Sequence, residues 1–346
     1  MSTELRDDNR LVYFRKAVSS PELTSESVLT REPYQYVELW LKRECKDALP
    51  YWLQSKAYYQ ATKSLPAVSA PLTAYYCYLN AAKALLTVRG VKFKEWHGVS
   101  GAFDPTSKRS LANEMVKIKG AGILSSLSAF LDEPEPNDEH SLSDILGNLP
   151  FIHRAYRQTF TSKKELFVPL SKPHYRKHPH SSEVWFAADI KGHFADRRSL
   201  STFPNAFEHD EGCHTAFRIR TKRRKRWYLR GAKAADKSRA HKRLCNLHKK
   251  CRLKVTFISA PVSLWYLKRN HSSATIIDRY GMTLIMAAMH RLSELARYDP
   301  QGLNAYFEGK PNWLLSEFIE LASDQFLDEL ICEMTGKEFR LPGVRP

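Results

Sequence analysis

The chain lacks any apolar run long enough to cross a bilayer, and its first ten residues, MSTELRDDNR, lack the basic region and apolar stretch of a secretory signal. These absences predict a cytosolic protein with no membrane partner, whose cysteines stay reduced. Cys45, Cys77, Cys213, Cys245, Cys251 and Cys332 are scattered, so their even number does not make a disulfide framework in a chain of 346 residues. There is no phosphate-cradling glycine loop, no Ser-His-Asp order and no internal repeat, which argues against P-loop hydrolysis, triad chemistry and solenoid folds. No cofactor is expected.

Acidic residues are the other shortage, with 37 Asp and Glu against 54 Lys and Arg for a net charge of +17. The imbalance is local. Between positions 218 and 254 stand seventeen Lys or Arg and a single acid, Asp236, a local charge of +16 that leaves the rest of the chain nearly neutral. Charges so concentrated repel one another, and the sequence offers no obvious acids nearby to offset them, so a polyanionic partner is expected, nucleic acid first. The run RIRTKRRKRWYLRG supplies Arg218, Arg220, Lys222, Arg223, Arg224, Lys225, Arg226 and Arg230 for phosphates, with Trp227 and Tyr228 as an adjacent stacking surface. The same residues also read as strands with basic neighbours on their exposed face. No base-reading motif accompanies them, so binding is expected to be non-specific. A membrane surface is the weaker polyanion, because the segment shows no clean amphipathic helix.

His209, Cys213 and His214, with Cys245, His248 and Cys251, are zinc-competent residue types. Neither group has paired-cysteine spacing, and Lys249 and Lys250 would oppose a cation, so no metal is expected.

Apolar spacing predicts helices over 36–48, 51–64, 71–88, 111–131, 141–149, 274–298 and 313–334, with Ser69 and Asn312 as caps and Gly90 and Gly336 as terminators. Strand-like runs fall at 166–170, 184–190, 216–219, 227–229 and 253–259. A proline-broken acidic loop, 132–139, carries charge that could dock onto the basic segment. The fold class is therefore α+β. The expected parts are a polar segment (1–34), a helical domain (35–165), a basic β-containing domain (166–269), and a C-terminal helical region (270–346) packing on the core.

The most informative stretch is YYCYLNAAKALLTVRGVKFKEWHGVSGAF, between Tyr75 and Phe103, where Asn80 and Lys83 interrupt an alanine-rich helix and Arg89 and His97 follow at or beyond its end. Its wording resembles the helical domain of the HEPN superfamily, with a tyrosine-rich helix and a downstream His-Gly turn. Together with EPYQYVELWLKREC and GMTLIMAAMHRLSELARYDP it also resembles the YaaC-like bacterial proteins. The HEPN resemblance implies RNA ahead of DNA, a possible homodimer, and a metal-independent ribonuclease built on Arg-x4-6-His. In that chemistry His97 would exchange a proton with an RNA hydroxyl, Arg89 would stabilise phosphoryl charge, and Asn80 and Lys83 would help place the phosphate. Seven residues separate Arg89 from His97, and that spacing favours a non-catalytic nucleic-acid-binding protein over the nuclease. Arg243 and His248 satisfy the motif literally, in a stretch so rich in arginine that the match comes cheaply.

Overall fold

The computed structural model describes residues 2–134, 138–229, 231–270 and 275–342. Among them the helices are α1 (Pro33–Glu44), α2 (Leu49–Lys63), α3 (Ala70–Val88), α4 (Ile123–Phe130), α5 (Leu142–Gly147), α6 (His153–Thr159), α7 (Ala234–Arg252), α8 (Gly281–Tyr298), α9 (Pro300–Glu308) and α10 (Asn312–Thr335). With the sheets described below, the fold is α+β. No helix of the described residues is long and apolar enough to cross a membrane.

Small side chains decide the centre of the helical core. Ala74, Ala81, Ala82 and Ala84 of α3 are fully buried, which lets α2, α8 and α10 approach its backbone closely. Tyr78 stacks on Phe326 of α10 at 4.4 Å between ring centroids, and its hydroxyl reaches Ser323 at 2.9 Å, so a buried polar atom is satisfied. Against this bundle lies a small antiparallel sheet of Val99–Phe103, Glu114–Ile118 and Glu139–Ser141.

A second core is built on an antiparallel sheet in the order Phe207–His209, Arg218–Thr221, Glu183–Ile190, Phe167–Lys177, Leu264–Lys268, Val255–Ile258. Lys225–Arg226 adds to the start of Glu183–Ile190. Val184, Phe186, Ala188 and Ile190 alternate onto the face covered by Ala240, Leu244, Leu247 and Cys251 of α7. The first thirty residues, polar on average, join both cores. Leu5, Val12 and Phe14 enter the sheet core, Ala17 and Val18 enter the helical one, and Lys16 pairs with Asp328 of α10 at 2.6 Å.

Several expected elements change. Residues 111–131 are not one helix: Glu114, Val116 and Ile118 are buried in a period of two, giving a strand, and helix starts only after Gly122. Helix α8 begins at Gly281, and just before it buried Arg279 meets Glu133 at 3.0 Å and Asp138 at 2.9 Å; Ala274 lies outside the described residues. Trp227 follows a strand that ends at Arg226. Ser69 stands at the N-cap of α3 without a side-chain cap hydrogen bond, and Asn312 is already the first residue of α10, with Pro311 at the cap position. Gly336 does end α10, in a left-handed conformation. The acidic loop meets the basic segment through Asp132 and Lys249 at 3.4 Å, but Glu133 and Asp138 go to Arg279, outside that segment; residues 135–137 are not among those described.

Candidate functional site

After α3 the chain turns back along the helix that precedes it. Val91 donates its amide to Leu86, Glu95 pairs with Lys83, and His97 shares a hydrogen bond of 2.7 Å between its Nδ1 and the Tyr75 hydroxyl. The turn is pinned from the other side by α4, whose Ile123 and Leu124 amides donate to the carbonyls of Trp96 and His97. Only glycine fits this junction. Gly122 has φ +123°, and a Cβ there would run into Gly98 and the Trp96 carbonyl.

The turn delivers His97, half-buried, to α8. His290 lies 5.5 Å from it between ring centroids, and Tyr75 packs edge-on against His290 at 4.8 Å. His290 is 6% exposed, its Nδ1 has no hydrogen-bond partner, and Glu294 Oε1 stands 3.8 Å away. Burial, then His97, Arg291, Lys119 and Arg297, pushes the His290 pKa down to about 3. Burial and then Arg297 lower that of His97 as well. Both imidazoles are therefore neutral near pH 7, chiefly because burial disfavours their charged forms. The adjoining Arg291 is held by Glu114 at 2.6 Å and Glu294 at 3.0 Å.

Arg89 is not part of this group. Its Nη2 donates to the carbonyls of Glu333 at 2.5 Å and Met334 at 3.3 Å, where it caps the end of α10. His97 lies beside Tyr75, and Arg89 comes fourteen residues further along α3, about 21 Å at 1.5 Å per residue. The supporting residues are also occupied elsewhere. Asn80 donates to the Tyr76 carbonyl of its own helix at 2.8 Å, and Lys83 is held by Glu95. The second motif fares no better, since Arg243 reaches the Arg226 carbonyl at the surface while His248 is fully buried. The partner His290 was invisible in the sequence because it arrives from a distant helix, where a histidine on an apolar face reads as core.

The basic segment has a different internal arrangement from the one its sequence suggests. Acids do offset it, brought from elsewhere in the chain: Arg218 pairs with Asp189 at 2.7 Å, Arg220 with Glu208 at 2.9 Å and Asp210 at 3.1 Å, and Arg224 with Glu183 at 2.8 Å. Lys237 meets Asp8 at 2.6 Å and Lys254 meets Asp278 at 2.5 Å. Trp227 is not an exposed stacking surface either. It is 3% exposed, packed on Tyr228 at 4.8 Å and His241 at 5.1 Å, while Tyr228 donates to Asp7 and carries Lys237 over its ring. The segment also contains a long amphipathic helix, α7, whose apolar side is used up against the sheet.

Apart from buried Arg252, which donates to the Lys16 and Val255 carbonyls, what remains is a set of cations without a carboxylate partner among the described residues: Lys222, Arg223, Lys225, Arg226, Lys233, Lys242, Arg243 and Lys250. Arg230 lies outside the described residues. Part of the set lines an open groove of about 360 Å³, between the chain at Arg226–Leu229 and one face of α7 bearing Asp236, Arg239 and Arg243. Arg239 pairs with Asp236 at 2.6 Å, which covers the one acid in the groove. Arg243 Nε donates to the Arg226 carbonyl at 3.0 Å, which fixes the groove's width at that point.

Among the described residues no three His, Cys, Asp or Glu side chains are grouped to hold a metal ion. His248 is committed to the Tyr175 hydroxyl and the Ala17 carbonyl, each at 2.7 Å, and Cys251 is buried in the sheet core. Residues 12–334 match the family described as YaaC-like Protein, and the chain belongs to that family. No curated protein and no solved structure matches it.

Proposed function

Taking membership of the YaaC-like family as the premise, whose description names no activity, we propose that this protein binds nucleic acid through the phosphate backbone at the α7 groove. The single observation that carries the proposal is the groove itself, where Arg226, Arg239 and Arg243 converge, and Lys222, Arg223 and Lys225, which precede Arg226 in the chain, have no carboxylate partner among the described residues. Releasing the counterions condensed on phosphates supplies the affinity, and no base-reading motif accompanies these residues. Because Trp227 is buried, backbone contacts outweigh stacking, and the preference for RNA over DNA rests on the HEPN resemblance alone. A HEPN-like character for the helical part, a cytoplasmic setting and assembly as a homodimer belong to the same proposal. Cleavage through Arg89 and His97 is the alternative reading and has less support, since Arg89 bonds to the end of α10 while His97 bonds to Tyr75.

The test is charge reversal of Lys222, Arg223, Lys225 and Arg226 to Glu in a variant whose far-ultraviolet circular dichroism matches the parent. Fluorescence anisotropy with labelled single-stranded RNA and DNA should then show binding abolished for both. Unchanged affinity would sink the assignment, and retained binding to anionic vesicles alone would move the surface to a membrane.

A further inference from the structure

A second basic recess lies at the other end of the same sheet strand. Lys225–Arg226 pairs with the first two residues of Glu183–Ile190, whereas the chain leaving Ile190 forms a turn that carries Arg197 and Arg198. Eight residues of strand separate the two ends, about 25 Å at 3.2–3.4 Å per residue. The recess is open, about 540 Å³, and is lined by Asp196, Arg197, Arg198, Ser199, Thr202 and Arg269.

Its parts are arranged in advance for an anion. Arg269 donates from Nε to the Thr202 hydroxyl at 2.9 Å and from Nη1 to the Glu165 carbonyl at 3.0 Å, with its guanidinium over the Phe194 ring at 4.8 Å. A guanidinium oriented in this way loses little freedom when it meets a phosphate. The one acid of the recess, Asp196, accepts from the Ser199 amide and from its hydroxyl, each at 2.9 Å, and keeps a single negative charge against three arginines. Arg197 and Arg198 are exposed and have no carboxylate partner among the described residues, so their charge is available.

We propose that Arg197, Arg198 and Arg269 form a second phosphate-binding site for the same nucleic-acid strand that enters the α7 groove, the two sites standing at opposite ends of Glu183–Ile190. This rests on the nucleic-acid reading above. Two weak sites engaged by one strand reinforce each other only when the strand is long enough to reach both, so affinity should depend on length with a threshold. A stacked strand advances 3.4 Å per nucleotide, which puts the threshold at roughly seven or eight nucleotides.

Anisotropy with oligouridylates of increasing length tests the idea on wild type, Arg197→Glu/Arg198→Glu and Arg269→Gln. Wild type should gain about tenfold or more in affinity on passing the threshold, the size expected of a second engaged site. Both variants should bind short oligomers like wild type and lose the gain. Their salt dependence on long oligomers should be shallower by about 0.7 for each phosphate contact removed. If the variants keep the threshold while the groove variant abolishes binding, the second site is wrong and the groove stands. If neither set alters binding, both fall. Calorimetry with inorganic phosphate separates the remaining source: phosphate binding lost in Arg269→Gln, with the length dependence intact, would make the recess a site for a small phosphate ligand and overturn the strand path.

Discussion

Two histidines sealed in the structure should make the protein sensitive to mild acid. His248 is fully buried, its Nε2 donating to the Ala17 carbonyl and its Nδ1 accepting from the Tyr175 hydroxyl, so a second proton has no place to go. Burial, then Arg252 and Arg15, pushes its pKa down to about 3, and burial followed by nearby cations does the same to His290. The folded values lie below the ordinary 6.5, so between pH 6.5 and 3 the unfolded chain binds more protons and stability falls as the pH drops. At 1.36 kcal/mol per pH unit, each histidine costs about 2 kcal/mol at pH 5, about 4 together. That is a large share of the roughly 5–15 kcal/mol by which a folded protein is stable. Buried Glu133 and Glu329, whose pKa values burial raises, oppose the trend at lower pH, so the comparison must isolate the histidine. Urea melts at pH 7 and pH 5 on wild type and His290→Gln do this. The variant should lose about 2 kcal/mol less than wild type over that interval. An identical loss in both would refute the claim that His290 is held neutral.

Three further substitutions probe the placement of side chains. Gly122→Ala should cost at least about 2 kcal/mol and lower the Tm, because it combines a disfavoured φ with a clash against Gly98 and Trp96. Arg89→Ala should cost about 1–3 kcal/mol by leaving the Glu333 and Met334 carbonyls without their donor, yet leave the NMR titration of His97 unmoved; a shifted His97 would mean the two residues communicate. Trp227→Ala should lose about 3–5 kcal/mol of stability as a core truncation, read from denaturant melts. Its folded fraction should bind nucleic acid without the loss of about 1–3 kcal/mol per base that removal of a stacking residue produces.

The elements most legible in the sequence were those whose burial pattern is long and local. Helices α3 and α10 repeat apolar residues over five and more turns, and Gly336 marks an end that structure places one residue past Thr335. Glu114–Ile118 was hidden because a buried carboxylate, paired with Arg291 from α8, stands where an apolar residue would have signalled a strand. Helix α7 was hidden for another reason: Ala240, Leu244, Leu247 and Cys251 keep helical spacing, but only four small or medium apolar residues carry it through a run of bases. Charge compensation cannot be read locally at all, since Asp189, Glu183 and Asp8 reach the basic segment only once the sheet and the N-terminal segment are folded. The candidate cations were legible as a group, and which of them remain available was not. The same holds for His97, whose neighbours are Tyr75 and His290 rather than the arginine that the HEPN resemblance suggested.

The central claim, backbone-led nucleic-acid binding at the α7 groove, is tested most directly by the salt dependence of wild-type affinity for a single-stranded oligonucleotide. Five cations without a carboxylate partner among the described residues line the groove or precede it in the chain, Lys222, Arg223, Lys225, Arg226 and Arg243. Engagement of all five predicts log K falling against log salt with a slope of about −3.5, or steeper if the arginine recess takes part. The same slope should appear for RNA and DNA and for different base compositions. A slope near zero, or no measurable binding at low salt, would contradict the account.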